Sequence, residues 1–205
     1  MSLQQLIKRS SAHYAQAHHH HARFLQRHGW EIAAGYGDVA VEKKAIEKSI
    51  ALVDVSWLGK LECKGDWVAA LQAGLIPDAV FYRLIPLHGI WIVPPQSVAF
   101  AQVTLESRLG RQPRSYLINT SSLHASFELL GPRAEDALCK LSGVHVPSAG
   151  HTQAPVAGVH CLVVRHTHGF QFHFGREYGE YLWECFLDAG AEFGICPVGL
   201  EAIGV

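Results

Sequence analysis

Histidines are the side chains in this sequence whose type and spacing most suggest chemistry. Four consecutive ones, His18 to His21, could bind zinc or nickel, but on a helix they point in four directions and cannot close a tetrahedral site. His166 and His168 are two residues apart, so they would share one face of a strand. No acid lies near them in the sequence, and we interpret them as hydrogen-bonding residues at a pocket rim. The sequence therefore predicts no metal site.

A basic turn is the second feature that could bind a ligand. Arg108, Arg111 and Arg114 lie beside Gly110 and Pro113. Such a turn could receive an anionic ligand tail or an acidic partner. Exposed ion pairs are worth at most about 1 kcal/mol, so we interpret this segment as a solvated loop.

The bulk composition excludes several classes of function. Lysine plus arginine number 17 against 18 for aspartate plus glutamate, so no long-range field attracts nucleic acid or an anionic membrane. No apolar run approaches the roughly 20 residues of a membrane helix. The 5 cysteines include no C-x-x-C pair, which predicts reduced, buried thiols. We expect a cytoplasmic protein that binds neither nucleic acid nor a membrane.

Helices and strands alternate along the chain. Residues 3–28 contain no proline or glycine and predict one long helix or two short ones. Asp38 can cap a second helix over residues 38–49. Alternating side chains then predict a strand over residues 59–64, which Gly65 ends before a short helix.

The order of strand, glycine and helix occurs again further along. Residues 124–130 alternate as a strand, Gly131 ends it, and Pro132 suits the first turn of the next helix. A simpler copy covers residues 169–174, and a helix with an apolar stripe follows Gly175.

The two clearest copies, residues 54–74 and 119–143, indicate an internal duplication. The predicted fold class is α+β, with repeated strand-strand-helix units and antiparallel sheets rather than a doubly wound parallel sheet. No glycine-rich loop stands at a strand-to-helix turn, which disfavours nucleotide binding.

Several short motifs in this order resemble a known family. They are Gly29-Trp30 through Tyr36-Gly37, Ala51-Leu52-Val53-Asp54-Val55-Ser56, Leu130-Gly131-Pro132-Arg133-Ala134 and Pro197-Val198-Gly199-Leu200-Glu201. Together they are similar to the glycine cleavage T proteins, which are folate-binding aminomethyltransferases, over about residues 13–201. The segment Glu180-Tyr181-Leu182-Trp183 with residues 189–194 looks even more like the gamma subunit of heterotetrameric sarcosine oxidase.

The resemblance implies a tetrahydrofolate pocket between repeated α+β subdomains, where a one-carbon unit passes from an amine to the folate. It implies a helical lead-in over residues 1–28 and a folate-binding-type domain over residues 29–205. We expect two or three similar, intergrown subdomains in that domain, approximately residues 29–115 and 116–205. The C-terminal barrel of the family is expected to be absent.

Two departures from the family pattern change the expected function. The family has a Gly-Gly-apolar-apolar-Asp-Asp stretch with a catalytic carboxylate, whereas residues 88–93 contain no acid. The family glutamate that holds the pterin is replaced by Gln171, whose amide offers one acceptor and a donor. We expect replacement of Gln171 by Glu to tighten folate binding.

The resemblance therefore implies weak or vestigial binding of tetrahydrofolate, with no catalytic residue. The implied cofactor-binding residues form one strip made of Trp91, Arg165, His168 and Gln171. The function that follows is a non-catalytic or accessory subunit of a larger oxidase or one-carbon enzyme in glycine- or sarcosine-type metabolism. The alternative is a stand-alone tetrahydrofolate-dependent aminomethyltransferase with a relocated active site.

Overall fold

The computed structural model describes residues 7–71, 74–148 and 150–204. The strands are β1 (Lys8–Arg9), β2 (Arg23–Arg27), β3 (Trp30–Gly35), β4 (Ile50–Asp54), β5 (Gly59–Lys64), β6 (Val80–Ile85), β7 (His88–Val93), β8 (Tyr116–Asn119), β9 (His124–Leu130), β10 (His151–Val156), β11 (Val159–His166), β12 (Gly169–Gly175) and β13 (Ile195–Val198). The α-helices are α1 (His13–His18), α2 (Val39–Lys48), α3 (Val98–Leu109), α4 (Ala134–Leu141), α5 (Gly179–Gly190) and α6 (Leu200–Ile203). Short 3₁₀ helices cover Asp66–Ala70, Pro95–Ser97, Arg176–Tyr178 and Ala191–Phe193.

The chain forms two compact units. Unit 1 consists of the described residues of Met1–Ser56 and Ala125–Val205, and unit 2 of those of Trp57–His124. These ranges differ from the expected division at residues 115 and 116. The reason is that β4, early in the chain, pairs with the later strands β9 and β13, so both parts of the chain share one sheet.

Unit 1 is built on a six-stranded sheet with the order β10-β11-β12-β9-β4-β13. The β10–β11, β11–β12 and β4–β9 pairs are antiparallel, and β13 runs parallel to β4. Alternate side chains of the central strands enter an aromatic core with α1, α4 and α5. Because side chains alternate along a strand, the remaining residues of these strands point to the opposite face.

Unit 2 contains a four-stranded antiparallel sheet with the order β6-β7-β5-β8. Leu61 and Trp91 on its central strands pack with Trp67 of the first 3₁₀ helix and Leu105 of α3. The fold class is therefore α+β with mostly antiparallel sheets, as predicted.

The two strand-to-helix turns of the expected duplication have the same local geometry. Gly65 after β5 has a φ of 111° and Gly131 after β9 a φ of 114°, a region that side chains with a Cβ rarely adopt. The Gly65 N–H donates to the carbonyl oxygen of Leu87 at 2.9 Å, and the Gly131 N–H to that of His168 at 2.8 Å. Each acceptor immediately precedes the second strand of a hairpin, β7 after Leu87 and β12 after His168. The internal duplication itself stays a prediction.

The N-terminal segment differs from the predicted helical lead-in. Helix α1 ends at His18, and β2 follows as a strand paired with β3. The turn between them, His28 and Gly29, has positive φ values of 52° and 76°. Positive φ at both central residues is typical of a tight hairpin, so the glycine closes a hairpin rather than a helix. The prediction of α2 is confirmed, since Asp38 Oδ1 accepts from the Ala40 N–H at 2.8 Å.

The cysteines are only partly as predicted. All five are free thiols, and Cys63 and Cys161 are buried. Cys139, however, is exposed because it lies on the outer side of α4. Within the described residues, no helix has the length and apolar character needed to span a membrane.

Candidate functional site

A row of polar side chains lies on the face of the unit 1 sheet opposite the aromatic core. The three phenylalanines of β12 enter the core, so Gln171 and His173 between them point to the other face. The same alternation on β9 places Ser126 and Glu128 on that face, beside them. Four hydrogen-bonding side chains thus come from two neighbouring strands.

Hydrogen bonds connect the row, with each donor on the side of Ser126 and each acceptor on the side of Glu128. Gln171 Nε2 donates to Glu128 Oε1 at 2.6 Å, so Gln171 Oε1 is left as an acceptor. His173 Nε2 lies 2.9 Å from that oxygen and must carry the hydrogen. The unprotonated Nδ1 of His173 then accepts from the Ser126 hydroxyl at 2.7 Å.

Accessibility differs along the row. Ser126, His173 and Gln171 are 0%, 4% and 5% exposed, whereas Glu128 is half-buried. Burial raises the pKa of the Glu128 carboxyl, and the hydrogen bond from Gln171 opposes this only in part. The row therefore ends in Glu128, which is the most accessible of its four side chains.

A separate pocket of about 490 Å³ lies in unit 1 at the end of the β11–β12 hairpin. Arg165, His166 and His168 line it from the hairpin, and Glu135 from the first turn of α4. The guanidinium of Arg165 pairs with Glu135 and lies 4.8 Å above the ring of Phe170. The charge of Arg165 is therefore balanced within the protein.

Two buried nitrogen atoms of this pocket have no hydrogen-bond partner among the described residues, Arg165 Nε and His166 Nε2. Burial lowers the pKa of His166, so its ring is neutral at pH 7. His166 can therefore offer the pocket a hydrogen bond from a neutral ring, and Arg165 one from a paired guanidinium.

Trp91 belongs to unit 2 and packs as a core side chain. It is 0% exposed, and its ring centroid lies 5.1 Å from that of Phe81. Its Nε1 is buried without a hydrogen-bond partner among the residues that the structure describes. On β7, the strand that resembles the family's acidic stretch, the outward neighbours Ile90 and Ile92 are apolar.

A carboxylate does lie beside β7, namely Glu62 on the paired strand β5, and it already has hydrogen-bond partners. His88 Nε2 lies 2.6 Å and Lys64 Nζ 3.1 Å from Glu62 Oε1. Burial alone would raise the pKa of Glu62, but the hydrogen bonds from Lys64 and His88 outweigh it and leave that pKa below its ordinary value. Glu62 is thus an ionised structural group.

Within unit 1, the expected cofactor-binding residues lie on both faces of the sheet. Arg165 pairs across the hairpin with Phe170, a core residue, so it lies on the opposite side of the sheet from Gln171. His168 stands with Arg165 at the pocket, and Trp91 lies in unit 2. Their binding of a cofactor stays a prediction.

Sequence reasoning missed Glu128. A signal existed, because Glu128 stands three residues before Gly131 as Glu62 stands three residues before Gly65, each on the face away from the core. The two repeated strands therefore each contribute one glutamate at the same position.

Comparison with known proteins finds relatives that match most of the chain. The family model described as GCVT N-terminal domain matches residues 70–205. Proteins named aminomethyltransferase from Chloroherpeton thalassium and Desulfitobacterium hafniense strain Y51 are 25% and 28% identical over 88% of this chain. The chain spans 59% and 58% of those two relatives.

Two solved structures share the fold. Aminomethyltransferase T of the glycine cleavage system from Bartonella henselae superposes with a TM-score of 0.77 at 17% identity, over 96% of this chain and 60% of that one. A chain of heterotetrameric sarcosine oxidase from Corynebacterium sp. U-96 gives a TM-score of 0.68 at 17% identity, over 93% of this chain and 98% of that one. Because the family model covers more than half of its residues, the chain belongs to the GCVT N-terminal domain family.

Proposed function

We propose that this chain is a tetrahydrofolate-binding-type domain that serves as a non-catalytic or accessory subunit in amine or one-carbon metabolism. Its partner would be an oxidase or one-carbon enzyme subunit that carries the chemistry. A cytoplasmic location is part of the proposal and is supported by the five free thiols.

The observation that carries the non-catalytic role is the composition of β7. Its six residues, His88–Val93, include no carboxylate. A preorganised charge in a dry site contributes several kcal/mol to a developing cation. A chain without that charge is expected to retain binding of the substrate or cofactor but to lose most of the catalytic rate.

The polar row of unit 1 fits a folate-type ligand. Gln171 holds the position where the resemblance expects the residue that grasps the pterin, and its hydrogen bonds to Glu128 and His173 hold its amide in one orientation. A half-buried carboxylate beside an amide of fixed orientation suits a ring with N–H donors.

The accessory role is supported by the fold shared with a chain of heterotetrameric sarcosine oxidase, over 93% of this chain. At 17% identity this likeness supports a shared fold, and the subunit role is our inference.

Two measurements test the proposal. Anaerobic calorimetric titration of the purified chain with tetrahydrofolate should give saturable one-site binding. An aminomethyl-transfer assay with the same preparation should give a rate far below that of a complete T protein. Absence of binding would refute the proposal that the chain binds tetrahydrofolate. Turnover at the rate of a T protein would refute the non-catalytic role.

The alternative is a stand-alone aminomethyltransferase, which is favoured by the names of the relatives that match 88% of the chain. In that case another carboxylate would have taken over the catalytic role, for instance Asp78. Turnover that is lost in a folded Asp78→Asn variant, or in another single Asp or Glu variant, would establish the alternative.

A further inference from the structure

We propose that Glu128 is the carboxylate that binds the ring of the folate-type ligand, and that Gln171 positions it. This inference rests on the proposed function and adds the residue that recognises the ligand. The recognised group is a ring that presents a ring N–H and a neighbouring exocyclic amino group, as a tetrahydropterin does.

The chemistry of recognition requires two acceptors side by side. A carboxylate accepts from two parallel N–H donors at once, and such charge-assisted hydrogen bonds are roughly twice as strong as neutral ones. The amide of Gln171 has one acceptor and one donor, so its nitrogen would face one of the ring donors. A carboxylate must therefore come from elsewhere if the ring is bound firmly.

Gln171 is also already engaged. Its nitrogen donates to Glu128 and its oxygen accepts from His173, and the side chain is 5% exposed. Glu128 is half-buried and thus more accessible. Among the described residues, the Glu128 carboxylate accepts one hydrogen bond, at its Oε1 from Gln171 Nε2. The Oε2 atom of Glu128 is left for a ligand.

The surroundings of Glu128 strengthen the case. Partial burial in a low-dielectric site makes each hydrogen bond to the ionised form stronger than it is in water. The buried chain from Gln171 through His173 to Ser126 fixes the carboxylate plane before any ligand arrives. Preorganisation of this kind reduces the entropy that binding costs.

The test compares the wild-type chain with Glu128→Gln by anaerobic titration calorimetry. The two ligands are tetrahydrofolate and 6-methyltetrahydropterin, which carries the ring alone. We expect Glu128→Gln to weaken both about tenfold or more, since a hydrogen bond to a charged group is lost. Glu180→Gln at an exposed position of α5 removes the same charge elsewhere and should leave both affinities within about twofold.

An exchange variant separates binding from folding. Glu128→Gln combined with Gln171→Glu keeps one carboxylate and one amide in hydrogen-bond contact, with the direction reversed. We expect this double variant to fold but not to recover the affinity that Glu128→Gln loses, because position 171 is 5% exposed and its carboxylate is less accessible to the ring.

The outcomes are distinguishable. If the wild-type chain binds neither ligand, the proposed function fails and this inference fails with it. If the wild-type chain binds tetrahydrofolate and a folded Glu128→Gln variant binds it equally well, only this inference is overturned. Weak binding by both folded variants would establish it, and full recovery in the double variant would overturn the assignment to Glu128.

Discussion

Glu62 on β5 and Glu128 on β9 stand at matching positions, three residues before Gly65 and Gly131. The pKa of the Glu62 carboxyl is nevertheless lowered, whereas that of the Glu128 carboxyl is raised. Both are partly buried, which by itself raises a carboxyl pKa. Glu62 has Lys64 and His88 as partners and its pKa is lowered, whereas Glu128 has the neutral amide of Gln171 and its pKa stays raised. The Glu62 carboxylate is thus ionised and paired with basic side chains, whereas the Gln171 amide does not offset the effect of burial on Glu128.

Replacement of Glu128 by Gln should stabilise the unliganded chain at pH 7. The folded-state pKa of Glu128 lies above its ordinary value of 4.5, so stability is lost as pH rises through that folded-state value. We expect a melting temperature higher by a few degrees, since about 1 kcal/mol corresponds to roughly 2–4 °C in a chain of this size. The difference in melting temperature between Glu128→Gln and the wild-type chain should shrink towards pH 4. A lower melting temperature of the variant at pH 7 would contradict a raised pKa of Glu128.

Replacement of Glu62 by Gln should have the opposite effect. The folded-state pKa of Glu62 lies below 4.5, so its stabilising contribution is present above that value and is lost as pH falls through the folded-state value. We expect Glu62→Gln to lower the free energy of unfolding by about 1–2 kcal/mol at pH 7. Urea denaturation at pH 7 and pH 4 measures this, with Glu128→Gln as the position-matched comparison.

Replacement of Gln171 alone by Glu should not tighten ligand binding, contrary to what the sequence suggested. The new carboxylate would stand at hydrogen-bond distance from Glu128, where the present pair is 2.6 Å apart. Two adjacent carboxylates cannot both ionise freely, and one pKa rises strongly. Thermal melting should show a chain that is less stable at pH 7 and recovers near pH 5. Equal stability at both pH values would mean that the two carboxylates do not meet.

Replacement of Gly131 by Ala should destabilise unit 1. A Cβ at this position would meet the carbonyl oxygen of Ser49 at 2.5 Å, and the φ of 114° is unfavourable for any residue with a Cβ. We expect a loss of about 1–3 kcal/mol in urea denaturation. Gly143→Ala is the matched control, because a Cβ there has open space, and a change as large as that at Gly131 would exclude a local cause.

The cysteines should react at very different rates with a thiol reagent in the native state. Burial raises the pKa of Cys63 and of Cys161 to about 12, and the thiolate is the reactive form. Cys139 is exposed and should react first. Mass spectrometry after brief alkylation should show label at Cys139 and little at the two buried sites. Early label at Cys63 would indicate that unit 2 opens readily.

Local patterns in the sequence were sufficient for β5, β9 and α2. Alternating side chains mark the two strands, and Asp38 supplies a cap within two residues of the donor that it binds. These elements depend on interactions between near neighbours along the chain, so their signals are present in short segments. The family resemblance depends on the same local motifs.

Strand β2 and the polar row around Glu128 could not be predicted from local patterns, because both depend on contacts between different strands. Residues 23–27 have helical composition but form β2, because pairing with β3 and the turn at His28 and Gly29 outweigh propensity. Glu128 and Gln171 are 43 residues apart and meet only because β9 and β12 are neighbours in the sheet. The sequence alone determined the repeated local elements and the absence of an acid in β7. Tertiary structure decided that Arg165 and Gln171 face opposite sides and that a carboxylate stands beside Gln171, since strand order and facing are set by packing of the whole unit.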